Sequence, residues 1–155
     1  MARLCQSTDM KLRLRGEVIV RVYKGGRLLE THRTSNMVVD TGLEYAAELL
    51  AGLTAVYPNY VGVGTNGDTP LPTDTALREE LGRVEASERS REGATAIFLA
   101  WFGADSTFNG EWRETGLYTS STGGTLIARA VFPSPIQKDE SKTVSVEWRI
   151  TLSRG

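Results

Sequence analysis

The sequence has one cysteine, Cys5, one histidine, His32, and only four lysines, Lys11, Lys24, Lys138 and Lys142. A lone cysteine excludes an intramolecular disulfide and any Cys-x-x-Cys metal knuckle. Cys5 sits among polar residues and reads as an incidental thiol. A triad of the Ser-His-Asp or Cys-His kind would have to use His32. Its neighbours, Thr31 and Arg33, place it at the end of a surface strand, where a solvated histidine is expected. No apolar run approaches the roughly 20 residues that span a bilayer. The first residues, MARLCQSTDMKLRLRGE, lack the apolar core of a secretory signal. A soluble protein made in a cytosol is expected, with no membrane partner. A basic excess is missing too: the formal net charge is −1. Nucleic acid is therefore not an expected partner. The other basic residues are all arginine, whose planar, multi-donor head suits protein interfaces; a GC-rich genome accounts for the bias equally well.

What is present is strand pattern. From Glu111 to Leu152 apolar and polar residues alternate through three runs, at 112–118, 125–132 and 142–152. A Gly-rich turn and a charged turn containing prolines separate them. An antiparallel sheet with one buried face has this pattern. In the last run Val144, Val146, Trp148, Ile150 and Leu152 share a face. The segment carries almost none of the residue types that do chemistry.

The rest of the chain reads the same way. A chain of 155 residues suits one domain, which buries roughly 70% of its unfolded surface. Residues 1–11 have no periodicity and are expected to be an extended N-terminal arm; residues 12–155 are expected to be a single β-rich domain. Leu12, Leu14, Val18, Val20 and Val22 share one strand face. Lys24-Gly25-Gly26 makes a hairpin turn into a second strand over 27–31, which Ser35-Asn36 ends. Thr41 and Glu44 have capping-box spacing for a helix whose apolar face holds Leu43, Ala46, Ala47, Leu50 and Ala51 and which ends at Gly52. Residues 60–64 form a short strand, 65–74 a loop, and Asp74 caps a second short helical turn through Leu77 and Leu81. The charged stretch 83–92 reads as a strand with a solvent-facing hairpin tip. Residues 94–102 are apolar on both faces: Ile97, Leu99 and Trp101 on one, Ala96, Phe98, Ala100 and Phe102 on the other. Such a strand is central or is covered by a partner. The sum is a mainly β chain, an antiparallel β-sandwich or jelly-roll-like domain with one or two short helices.

Motifs for chemistry are weak. Residues 62–67 match G-x-G-x-x-G after a strand, but the motif runs into Asp68-Thr69-Pro70-Leu71-Pro72, which cannot open the helix a dinucleotide needs. Asp68 and Asp74 flank an oxygen-rich loop without the ligand count of a Ca²⁺ site. Glu111 and Glu114, or Glu79 and Glu80, are the candidate carboxylate pairs for glycosidic cleavage, and Trp101, Trp112 and Trp148 are equally ready as a sugar platform or as core. No catalytic, metal or cofactor residue is assigned.

Three ordered motifs nevertheless stand out. Asn-x-Val-Val-x-x-Gly runs from Asn36 to Gly42. V-G-x-G-T…D-T-x-L-x-x-E runs from Val61 to Glu80. R-E-x-G-L-Y…G-G-T-L-x-A-R-A-V…V-x-W-x-I runs from Arg113 to Ile150. In this order they resemble small structural proteins of tailed bacteriophages, both capsid decoration proteins and tail-fibre or collar modules. The resemblance implies no enzyme activity, no cofactor, and assembly as a homo-oligomer, a trimer above all. The sequence stops just past its last strand, with no repeat shaft, and opens on an arm. Both points favour a decoration protein on the outer surface of the assembled head, with the major capsid protein as partner. A tail-fibre, collar or baseplate subunit involved in attachment is the alternative. The expected partner contacts are Leu4, Met10 and Leu12 on the arm, and Phe98 and Phe102 near a subunit interface.

Overall fold

The computed structural model describes residues 11–155. Leu4 and Met10 fall outside that range. The expectation of a mainly β chain holds. Nine strands and one α-helix make up the regular structure of the described residues. They are β1 (Leu12–Lys24), β2 (Arg27–Val38), α1 (Asp40–Leu50), β3 (Tyr60–Gly64), β4 (Glu80–Glu85), β5 (Glu88–Glu92), β6 (Thr95–Phe102), β7 (Gly110–Tyr118), β8 (Leu126–Lys138) and β9 (Lys142–Arg154), with a 3-10 turn at Ser106–Phe108. No described helix is long and apolar enough to cross a membrane.

The strands form one antiparallel sheet in the order β4-β3-β7-β8-β2-β1-β9-β6-β5. It is one curled sheet, a half-barrel. The reason is visible in the connections. β4 and β5 are its two outermost strands, yet only Ala86 and Ser87 lie between them. The three Cα steps from Glu85 to Glu88 span at most about 11 Å, so the two edges must come together at that end. At the seam the Ala86 N–H donates to the Asn59 carbonyl (2.7 Å) and the Ser87 N–H to the Leu99 carbonyl (2.8 Å). Arg89 reaches across it, over the Tyr57 ring and to the Asn59 side chain at 2.5 Å.

Inside the curl lies the core that alternation foretold. Val18, Val20, Val22, Val144, Val146 and Trp148 come from β1 and β9 and are fully buried. They meet Trp112, Leu117, Ala128 and Ile136 from β7 and β8 in one cluster. The outer face of β1, β6 and β9 is mostly half-exposed, with Ile19 and Ser145 buried on it. Ion pairs lace it, among them Arg21–Glu147 (3.1 Å) and Arg149–Glu147 (2.8 Å).

Several local expectations change. β2 does not stop at Ser35-Asn36 but runs to Val38, because Asn36 pairs opposite Gly16. A side chain on Gly16 would lie 2.0 Å from Asn36 Nδ2, so the glycine makes room for the asparagine. β8 continues through Pro133 and Pro135 instead of turning there. The ladder with β7 is broken between the Glu114–Val131 and Trp112–Ile136 pairs, so residues 132–135 bulge opposite Arg113 alone. A proline costs a ladder nothing where no bond is made. The capping box does not form: α1 starts at Asp40, and Val39 is the flanking residue. The Thr41 hydroxyl instead donates to the Leu126 carbonyl (2.8 Å), fastening the helix to β8. Gly42 allows that approach, since a Cβ there would meet the Ile127 carbonyl oxygen at 2.1 Å. No helix follows Asp74 before β4 begins.

Candidate functional site

The outer face of β3, β7 and β8 is covered by the loop 65–79. Under that loop lies a polar cluster the sequence reading did not foresee. Glu114 on β7 and Arg129 on β8 are both fully buried, with Arg129 Nε donating to Glu114 Oε1 at 2.9 Å. The Glu114 carboxylate also accepts from three backbone N–H groups of the loop, Asn66 (3.2 Å), Arg78 (3.0 Å) and Glu79 (2.8 Å). The rest of the Arg129 guanidinium donates to the Asp68 carbonyl (2.9 Å), the Asp74 carboxylate (3.3 Å) and the Asn66 carbonyl (3.3 Å). Beside it, Leu77, Tyr118, Val39 and Leu126 form a small second core, and the Leu77 N–H donates to the Tyr118 hydroxyl at 2.7 Å. Burial pushes the Tyr118 hydroxyl up to about 12.

This cluster explains the glycine motif. A nest of backbone N–H groups after a glycine-rich strand end is a ready anion site. Here the anion is built in, as Glu114. Gly64 is needed for the fit: a Cβ there would lie 2.4 Å from the Glu79 carbonyl oxygen and 2.5 Å from Glu114 Oε2. Two of the three sequence motifs are thus the two halves of one clamp. The signal that marks it in sequence is a charged residue in an otherwise apolar run, Arg129 within Leu126-Ile127-Ala128-Arg129-Ala130-Val131-Phe132.

The Glu111–Glu114 pair is not arranged for proton transfer. Glu114 has its oxygens filled by the four donors above. Glu111 lies on the exposed side of β7, where the Gln137 amide and Arg113 hold its carboxyl below the usual range. A glycosidase acid needs the opposite shift. Trp112 and Trp148 are fully buried. Among the described residues, no group of three or more His, Cys, Asp or Glu side chains is placed to hold a metal ion.

Asp74 makes the clamp sensitive to acid. Burial raises its carboxyl, but the Leu71 N–H, the Arg78 guanidinium and the charge of Arg129 together bring it below its ordinary 3.8. A carboxyl lowered by folding contributes stability at pH values above its unfolded pKa and loses it as the pH falls through the folded one. Amide protection in loop 65–79 should therefore be level above about pH 4 and fall below it. In Asp74→Asn the fall should be shallower. An unchanged acid profile in that variant would remove Asp74 from the clamp.

At the opposite side of the sheet an apolar cleft of about 280 Å³ opens between α1 and the ends of β1, β6 and β9. Leu12, Leu14, Tyr45, Leu49, Phe98 and Leu152 are among its lining. Leu12 stands at its lip, 60% exposed, and Leu50 on α1 is 84% exposed. Leu53, Val56 and Tyr57, which follow the helix in the chain, are also exposed. The polar tip in its described lining, the Tyr45 hydroxyl, is already committed to the Val56 carbonyl at 2.6 Å.

The predicted partner residues are placed unequally by this arrangement. Leu12 is exposed at the cleft. Phe98 lines the cleft from its floor. Phe102 is fully buried and packs edge-on against Phe108 (4.9 Å) and Trp112 (5.0 Å), so its side chain offers no surface to a partner. The alternation of β6 was read correctly, but the face turned outward is that of Ile97, Leu99 and Trp101. Comparison of the chain with protein families, with characterised proteins and with solved structures finds no match.

Proposed function

We propose that this chain is a non-enzymatic structural subunit of a tailed-phage virion, a decoration protein that binds the outer surface of the assembled head and stabilises it as a symmetric trimer. One observation carries the reading. The polar groups gathered in the Glu114–Arg129 clamp are consumed by the chain's own backbone and side chains, while an apolar cleft edged by the exposed Leu12 and Leu50 is left open where β1 begins. An open apolar cleft fits a protein partner. The three ordered motifs that resemble phage structural proteins supply the kind of partner, the major capsid protein.

The mechanism is mass action. A protein that binds only the assembled lattice stabilises that lattice by its binding free energy, repeated over many sites. Catalysis has no part in it. Co-sedimentation with purified capsids tests the reading. The full chain should bind saturably, and deletion of residues 1–10 should weaken binding while leaving the melting transition in place. Absence of binding to capsids, with binding to cell-surface glycans instead, would replace this reading by a tail-fibre, collar or baseplate role in attachment.

A further inference from the structure

We propose that the apolar cleft beside α1 is the seat for residues 1–10 of a second copy of this chain. The inference rests on the oligomeric reading above and names the surface through which it is realised. Three observations lead to it.

The first is the lining. The residues around the cleft are leucines, isoleucines, two alanines, a glycine, a proline and two aromatics. Small-molecule sites need a few convergent polar groups to orient the ligand, and the hydroxyl of Tyr45 is spent on Val56. An apolar peptide requires no such handle, because side-chain burial alone holds it.

The second is the chain outside the described residues. Ten residues precede Lys11, and Met1, Leu4, Cys5 and Met10 are apolar or weakly polar among them. Extended, ten residues reach roughly 33 Å. A cleft of about 280 Å³ takes a few such side chains and not a folded domain.

The third is direction. β1 stays paired with β9 to its first residues, Leu12 opposite Arg154. One step further, the Gly155 N–H donates to the Lys11 carbonyl at 2.6 Å. The ladder therefore keeps the chain extended through Lys11, along the strand axis. On this proposal the residues before Lys11 enter the cleft of a neighbouring copy. In a closed ring each copy then gives one segment and receives one, a heterologous contact that closes by rotation.

The native chain provides the probe, since Cys5 is its only thiol. Leu50→Cys places a second thiol at the exposed rim of the cleft. Under mild oxidation this variant should give covalently linked copies on a non-reducing gel. Peptide mapping should find Cys5 of one copy joined to position 50 of another. Cys5→Ser in the same variant should abolish the linkage, and Ser121→Cys, at an exposed turn far along the chain, should not replace Leu50→Cys. Light scattering should find the full chain oligomeric and the chain lacking residues 1–10 monomeric. An intrachain disulfide, no disulfide, equal linkage from position 121, or an unchanged oligomer after the deletion would each overturn the proposal. Capsid binding is scored separately: an empty cleft in a chain that still binds capsids sinks this seat and leaves the decoration reading standing.

Discussion

Arg129→Met is expected to destabilise the chain by about 3–5 kcal/mol, because it leaves the Glu114 carboxylate buried without its cation. For a domain of this size that is a fall of roughly 6–20 °C in melting temperature. Arg129 is fully buried and touches four groups, the carboxylates of Glu114 and Asp74 and the carbonyls of Asn66 and Asp68. Its loss should be felt first in loop 65–79, where hydrogen exchange should accelerate more than in β1 or β9. Removing both charges should cost less than the sum of the two single changes. In the double variant Glu114→Leu/Arg129→Met, a coupling of about 1–3 kcal/mol is expected. Additive losses would mean that the pair does not act as a unit.

Trp112→Ala should cost about 3–5 kcal/mol, as large-to-small changes of buried aromatics do. Trp112 is fully buried and lies edge-on to Phe102, at 5.0 Å between centroids. Its indole N–H donates to the Phe108 carbonyl at 2.7 Å. It therefore holds together three things: the inner face of β6, the 3-10 turn at Ser106–Phe108 and the start of β7. Trp112→Phe separates packing from hydrogen bonding. It keeps most of the volume and leaves a buried carbonyl without its donor, for a loss of about 1–3 kcal/mol. Denaturant melts of both variants measure the two contributions. A loss under about 1 kcal/mol in Trp112→Ala would place this tryptophan outside the cooperative core.

These two sites show what was legible in the sequence and what was not. The inward set of Val144, Val146 and Trp148 follows from a period of two, and so does the position of Phe102 on the face opposite Trp101. Alternation reports which residues share a face. It does not report which face meets the core when both are apolar, and so Phe102 was expected near an interface and lies inside. Long-range polar pairs are less visible still. Glu114 and Arg129 are 15 residues apart, on neighbouring strands whose outer face would ordinarily be wet. Only the loop folding over that face makes them buried. Thr41 is a similar case: its spacing to Glu44 fits a local cap, but the Leu126 carbonyl on β8 takes its hydroxyl. The curl of the sheet, too, comes from a link of two residues between its outermost strands, which has no periodic signature.

The glycines gained the most from the structure. In sequence, Gly62-Val63-Gly64 resembles the beginning of a phosphate loop. In the fold it is the floor on which the loop 65–79 rests, with the anion supplied by Glu114. The three ordered sequence motifs contain the residues that make this floor, its clamp and the docking of α1 on β8. They are motifs of assembly within the chain, and on the proposed reading the open cleft extends assembly to other chains.

The most direct test of that reading is an image of the assembled particle with the chain carrying a label on the exposed turn at Ser121. The decoration reading predicts label distributed over the outside of the head in a regular lattice. Label confined to the tail, or absent from the particle, would contradict it.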